Sequence, residues 1–227
     1  YRHQDEAVEI FLQKKNGILN MATGTGKTRT ALKIINKLTE NKLIDQFIIT
    51  CYGVDLLEQW HGIMFDCKEG EAKEIAKHYP RLLKDKIDRQ KFSFDPEQSG
   101  LLTSLDDVYH LETMDDRILE RTLIIYDEVH NLGTESRVSK LSQLNKKITY
   151  RLGLSATPDK GKYNTEMTHA IQSEIGDIIY TFSLEDAIKR GILCEFNYEL
   201  LEYRLDRDDK DKIKRVQAAR STAKKEG

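Results

Sequence analysis

Gly17-Ile18-Leu19-Asn20-Met21-Ala22-Thr23-Gly24-Thr25-Gly26-Lys27-Thr28 is a short apolar run closed at once by a glycine-rich turn. Ala31, Leu32, Ile34, Ile35 and Leu38 then recur at helical spacing. Apolar run, turn and amphipathic run read as strand, loop and helix. Gly24 and Gly26 let backbone N–H groups close around phosphate oxygens where that helix begins, and the helix dipole favours an anion at the same point. In this pattern Lys27 reaches the β- and γ-phosphates and the Thr28 hydroxyl holds magnesium, with Thr23 and Thr25 completing the nucleotide-binding set. The general Walker A pattern places glycine where Met21 stands, so this is a variant that keeps the closing Gly26-Lys27-Thr28.

The flanking sequence repeats the alternation. Upstream, Ala7, Val8, Ile10, Phe11 and Leu12 mark a helix with one apolar face, suited to lie beside a sheet. Downstream, Gln46–Thr50 reads as a strand and Val54–Met64 as a helix, and Gly100–Thr103, Thr122–Tyr126 and Ile148–Ser155 read as further strands. Strands separated by helical patterns predict an α/β fold with a mostly parallel sheet and helices on both faces. Residues 68–91 are dense in charge, with Ala72, Ile75, Ala76, Leu82, Leu83 and Ile87 between, and predict one or two amphipathic helices with a solvated face. Residues 204–227 mix Asp206, Asp208, Asp209 and Asp211 with Lys210, Lys212, Lys214 and Arg215, as a linker or exposed helix does.

Composition narrows the class. In 227 residues, 36 Lys and Arg face 38 Asp and Glu, a net charge of −2, so any nucleic-acid binding must come from local patches. A membrane-spanning helix needs roughly 18 consecutive apolar residues, and the longest apolar run, Leu123–Tyr126, is far shorter. No secretory leader opens the chain, and a start at Tyr1 points to missing upstream sequence. The three cysteines, Cys51, Cys67 and Cys194, form no CxxC pair and argue for a reduced, cytoplasmic setting. None of the six histidines lies at zinc-ligand spacing from a cysteine.

A nucleotide site of this kind needs an acidic residue at the end of a second buried strand, and Leu123-Ile124-Ile125-Tyr126-Asp127-Glu128 supplies one. Asp127 is placed to hold magnesium through water, and Glu128 to orient or deprotonate the attacking water. Such an acidic pair can also simply end a strand and cap a turn; the glycine loop upstream favours the catalytic role.

Ala22-Thr23-Gly24-Thr25-Gly26-Lys27-Thr28, Asp127-Glu128-Val129-His130 and Ser155-Ala156-Thr157-Pro158 follow in this order. They resemble motifs I, II and III of superfamily-two helicases and translocases, in the DEAD/DEAH-like branch that includes the motor subunits of type I and type III restriction enzymes. The resemblance runs from Tyr1 to about Tyr203 and implies a RecA-like P-loop NTPase domain over residues 1–203 that uses ATP and Mg2+. It also implies that Gln4, just before the first helix, reads the adenine edge, since a side-chain amide both donates and accepts a hydrogen bond. His130 is then beside the γ-phosphate and links nucleotide state to Ser155 and Thr157, whose hydroxyls can exchange partners. Thr50 to Trp60 is similar to motif Ia, and Thr103 and Ser104 to motif Ib, where hydroxyls and helix N-termini grip nucleic-acid backbone without reading sequence. Leu56 and Trp60 are assigned to the core, on the apolar face with Leu57 and Ile63. Ile175–Tyr180 and Ser183–Leu193 resemble the strand and helix that close such a domain, with Ser183 and Asp186 as a capping box and Gly191 ending the helix.

Motors of this family resemble two stacked RecA-like domains with ATP between them and arginine fingers from the second. Nothing after Arg204 has the length or alternation for that second domain, so the chain reads as one half of a motor. Arginine fingers are worth on the order of three to five decades in rate, and the chain alone is expected to hydrolyse ATP weakly. Asp-Glu-Val-His differs from the Asp-Glu-Ala-Asp of the dedicated RNA group and favours DNA over RNA. The restriction-like resemblance implies a nuclease or methyltransferase subunit as a partner. An RNA motor, a small-molecule kinase and a non-catalytic nucleotide-binding module remain as other readings of the same loop.

Overall fold

Along Phe47-Ile48-Ile49 and Leu123-Ile124-Ile125-Tyr126 every residue is buried. Successive strand side chains point to opposite faces, so such runs require cover on both sides. The structure, a computed structural model, describes residues 1–65, 70–132, 135–156, 165–195, 209 and 212–213. Its strands are β1 (Asn16–Met21), β2 (Gln46–Cys51), β3 (Arg81–Leu83), β4 (Ser99–Ser104), β5 (Thr122–Asp127), β6 (Tyr150–Ser155) and β7 (Ile178–Phe182). They form one seven-stranded sheet in the order β3-β4-β2-β5-β6-β1-β7, with every pair parallel.

The helices are α1 (Arg2–Lys14), α2 (Lys27–Glu40), α3 (Val54–Phe65), α4 (Glu71–His78), α5 (Lys86–Phe94), α6 (Asp116–Glu120), α7 (Glu135–Lys147), α8 (Thr165–Ile175) and α9 (Leu184–Lys189). On one face Leu19, Phe47, Ile49, Leu123, Ile125 and Leu152 meet α1, α2, α3, α4 and α9 through Phe11, Ile35, Trp60, Ile75 and Ala187. On the other, Ile18, Ile48, Leu101, Ile124 and Tyr126 meet α5, α7 and α8 through Phe92, Leu141, Leu144, Ile171 and Ile175. The odd and even residues of each strand thus feed separate cores, each large side chain contributing about 1.5–3 kcal/mol by burial. All strands run the same way, so the turns that can carry chemistry gather at the C-terminal edge of the sheet.

The structure departs from expectation at the sheet edge. Residues 70–95 are not helix alone, because β3 separates α4 from α5 and pairs with β4 at the sheet edge. Arg81 secures it from outside, donating to Asp95 Oδ2 at 2.7 Å and to the carbonyl oxygens of Asp95 and Glu97. One compact unit runs from Tyr1 to Cys194, with Ile192 and Leu193 packed on the core beside α9. Residues 195–227 form a second unit, of which Glu195, Asp209, Lys212 and Ile213 are described. The capping box of α9 is present: Asp186 N–H donates to Ser183 Oγ at 3.0 Å, and Ser183 N–H to Asp186 Oδ2 at 3.2 Å.

Candidate active site

β1 ends at Met21, and the chain turns through Gly24 at φ 83° and Gly26 at φ 90° into α2. Both values lie in the left-handed region that glycine adopts without steric cost. Thr25 braces the turn, its Oγ1 donating to Ala22 O at 2.7 Å, while Thr23 and Gly24 face solvent. A Cβ at Gly26 would stand 2.2 Å from Gln4 Nε2, so any side chain there would have to displace the Gln4 amide as well as adopt a left-handed backbone. Met21 replaces the usual first glycine because its side chain is wholly buried in the core. Its carbonyl oxygen accepts from Lys27 Nζ at 3.3 Å. Thr28 follows on the first turn of α2, half-buried.

Gln4 lies inside α1 rather than before it, and is 2% exposed. Its Nε2 donates to Thr25 O at 3.2 Å, and its Oε1 is buried without a hydrogen-bond partner among the described residues. An orphaned amide oxygen beside the glycine turn fits a donor such as an exocyclic amine. His3 is a second support for the turn: its Nε2 lies 2.8 Å from Thr25 O and its ring stacks on Phe182 at 4.3 Å.

β5 delivers the acidic pair. Asp127 is 8% exposed, and burial pushes its carboxyl above the usual range, with the neighbouring Glu128 charge acting the same way. The Trp60 indole, the Glu128 N–H and Lys27 oppose that shift. Oδ2 accepts from Trp60 Nε1 at 2.8 Å, and Oδ1 from Glu128 N at 2.9 Å. Glu128 itself sits at φ 49°, a left-handed backbone that costs a non-glycine residue roughly 1–2 kcal/mol. Its carboxylate reaches two motifs at once, with Oε1 3.9 Å from Lys27 Nζ and Oε2 3.3 Å from His130 Nδ1. His130 Nδ1 is in turn 3.0 Å from Ser155 Oγ, at the end of β6. Thr157 lies outside the described residues.

Lys27, Glu128, His130 and Ser155 therefore form one contact chain across the ends of β1, β5 and β6. A cation, a carboxylate and a titratable ring beside exposed glycine N–H groups can hold an anionic group and accept a proton from a nucleophile next to it.

The residues assigned to nucleic acid do not gather in the same way. Thr50 is wholly buried and Thr103 is 3% exposed, because their side chains project into the layers rather than off the sheet edge. Neither side chain lies on the surface of this domain. Thr50 Oγ1 is buried without a partner among the described residues. Ser104 is half-buried and donates to Asp107 Oδ2 at 2.8 Å.

Sequence reading placed Trp60 in the core and missed its bond to Asp127, which joins positions 67 apart in the chain. His3 carried no motif and was also missed. Cys51, at the end of β2, lies near Asp127, and burial followed by that charge pushes its thiol up to about 12.

A family model described as type III restriction enzyme, res subunit, matches residues 1–160. The curated DNA 3'-5' translocase XPB2 of Sulfurisphaera tokodaii is 29% identical over 194 residues, 81% of this chain and 36% of that protein. The helicase domain of Hef from Pyrococcus furiosus superposes with a TM-score of 0.62 at 16% identity, over 86% of this chain and 41% of that one. The UvsW helicase of bacteriophage T4 does so with a TM-score of 0.58 at 19% identity, over 81% and 59%. The chain thus spans about a third of the curated relative it matches, and the two structural likenesses place its sheet and helices in the RecA-like helicase fold.

Proposed function

The chain belongs to the type III restriction enzyme res subunit family, and from that membership we propose that it is the first RecA-like domain of an ATP-driven superfamily-two DNA helicase or translocase. The observation that carries the reading is the contact chain Lys27–Glu128–His130–Ser155 over the glycine turn. ATP with Mg2+ supplies the phosphoryl group and the cation that neutralises it. Main-chain N–H groups of the glycine turn and the Lys27 ammonium would bind its phosphate oxygens, and Thr28 Oγ1 and Asp127 would hold the metal. Gln4 Oε1, a buried acceptor without a partner, takes a hydrogen bond from the adenine amine. Glu128 accepts the proton of the attacking water, and its left-handed backbone holds the carboxylate between Lys27 and His130. His130 passes the state of that carboxylate to Ser155 through the 3.0 Å contact.

DNA is the polymer this reading favours, because the curated relative is a DNA translocase and Asp127-Glu128-Val129-His130 is not the spelling of the RNA group. The parent protein then supplies a second RecA-like domain with its arginine fingers, and the family's name supports a nuclease or methyltransferase partner. The chain alone hydrolyses ATP weakly. Among the described residues no helix is long and apolar enough to cross a membrane. The test is ATP hydrolysis by the parent protein at one fixed salt concentration, with no polymer, duplex DNA, single-stranded DNA or RNA, since backbone binding depends steeply on salt. Stimulation by duplex DNA is expected. Stimulation by RNA alone replaces the substrate, and no stimulation by any polymer overturns the motor.

A further inference from the structure

A buried indole N–H needs an acceptor, and in most cores a backbone carbonyl or a neutral side chain is enough. Trp60, 1% exposed on α3, instead donates to the carboxylate of Asp127 at 2.8 Å. Hydrogen bonds to an ionised acceptor are roughly twice as strong as neutral ones, so this contact does more than fill space. The other carboxylate oxygen is fixed as well, by the Glu128 N–H at 2.9 Å. Two donors on two oxygens set both the rotamer and the plane of the group. Each oxygen keeps a further lone pair for a water molecule on a metal ion.

We propose that Trp60 is a positioning residue for the magnesium ion: its indole N–H, carried on α3, holds the Asp127 carboxylate in the one orientation that receives the metal's water. This rests on the nucleotide site proposed above. Leu56, Leu57, Ile63 and Met64 anchor α3 to the core independently of the indole, so the ring's polar edge is separable from its packing. Trp60→Phe keeps an aromatic ring and deletes only the donor and part of the volume.

The test uses the 227-residue chain and a fluorescent ADP analogue, titrated with and without Mg2+ and followed by direct excitation of the label. In Trp60→Phe the affinity without Mg2+ stays within twofold of wild type. The Mg2+ concentration that gives half its effect rises about three- to tenfold, at or just below the lower end of what loss of an outer hydrogen-bond partner does to metal sites, because a water stands between Asp127 and the metal. A half-effect concentration within twofold of wild type overturns the proposal, whatever happens to the melting temperature. Should Trp60→Phe not fold, the wild-type chain decides the matter, because it contains a single tryptophan and so gives one indole N–H resonance. That resonance moves both on adding Mg2+ with ADP and in Asp127→Asn; if it stays in place in both, the proposal falls. A wild-type chain that binds no nucleotide fails at the earlier step and takes the nucleotide reading with it, whereas one whose nucleotide binding ignores Mg2+ overturns the metal's place at Asp127 and this proposal with it. A wild type that responds and a Trp60→Phe that responds equally removes only the role of Trp60.

Discussion

The ends of β1, β5 and β6 and the ends of β2 and β4 lie along the same edge of one sheet, and they present opposite chemistry. At β1, left-handed glycines turn the main chain outward, leaving Thr23 and Gly24 in solvent. At β5, the left-handed turn at Glu128 places its carboxylate between Lys27 and His130. At β2 and β4, Thr50 and Thr103 stay beneath the surface, and Ser104 spends its hydroxyl on Asp107. The difference teaches that a motif's position at a strand end does not expose its side chains. Exposure depends on how the chain leaves the strand and on which face the pleat gives each residue.

The largest effect that sharpens this contrast is expected at Glu128. In the parent protein Glu128→Gln should lower ATP hydrolysis by about two to three decades, as loss of a general base does, while nucleotide affinity changes only a few-fold. Steady-state rates and equilibrium binding on one preparation measure both, and a rate within tenfold of wild type would remove the catalytic role from β5. Gly26→Ala attacks the turn itself. A side chain at φ 90°, with Gln4 Nε2 in its way, should destabilise the fold by roughly 1–2 kcal/mol and weaken nucleotide binding, both readable from denaturant melts and titrations. Thr50→Val probes the contrasting end, and should raise stability by up to about 1 kcal/mol by removing a buried hydroxyl without a partner. Polymer affinity should stay within twofold; a larger fall would show that Thr50 reaches the polymer after all.

The smallest effect is at the opposite edge of the sheet, where Arg121 pairs with Asp45 just before β5 and β2 begin. The guanidinium holds the Asp45 carboxyl below the usual carboxylate range. A depressed folded pKa adds stability above the unfolded value of about 3.9, and that stability is lost as pH falls through the folded one. Both side chains are nearly half exposed, so Asp45→Asn should cost only a few tenths of a kcal/mol at neutral pH. The gap between the two melting curves should close below about pH 4.

Much of the fold was legible because its signals are local. The glycine turn between an apolar run and a helical one located β1 and α2, and Ser183 with Asp186 marked the start of α9. Departures arose where the signal is short or distant. β3 has three residues, too few for alternation to show against the charged helices around it. The burial of Thr50 and Thr103 follows from strand parity across the sheet, which motif spelling does not encode. Trp60 looked like core and is core; its partner lies at the end of β5, and only the folded chain brings the two together. His3 supports the glycine turn through a backbone carbonyl, a contact with no signature in the residues it touches.

The central claim is that the ends of β1, β5 and β6 bind a nucleotide through Lys27, and equilibrium binding of ADP with Mg2+ to the wild-type chain and to Lys27→Ala tests it most directly. The account predicts a wild type that binds and a Lys27→Ala weaker by about one to two decades, in line with loss of a charge-assisted hydrogen bond, at an unchanged melting temperature. Equal affinities in two folded proteins would contradict it.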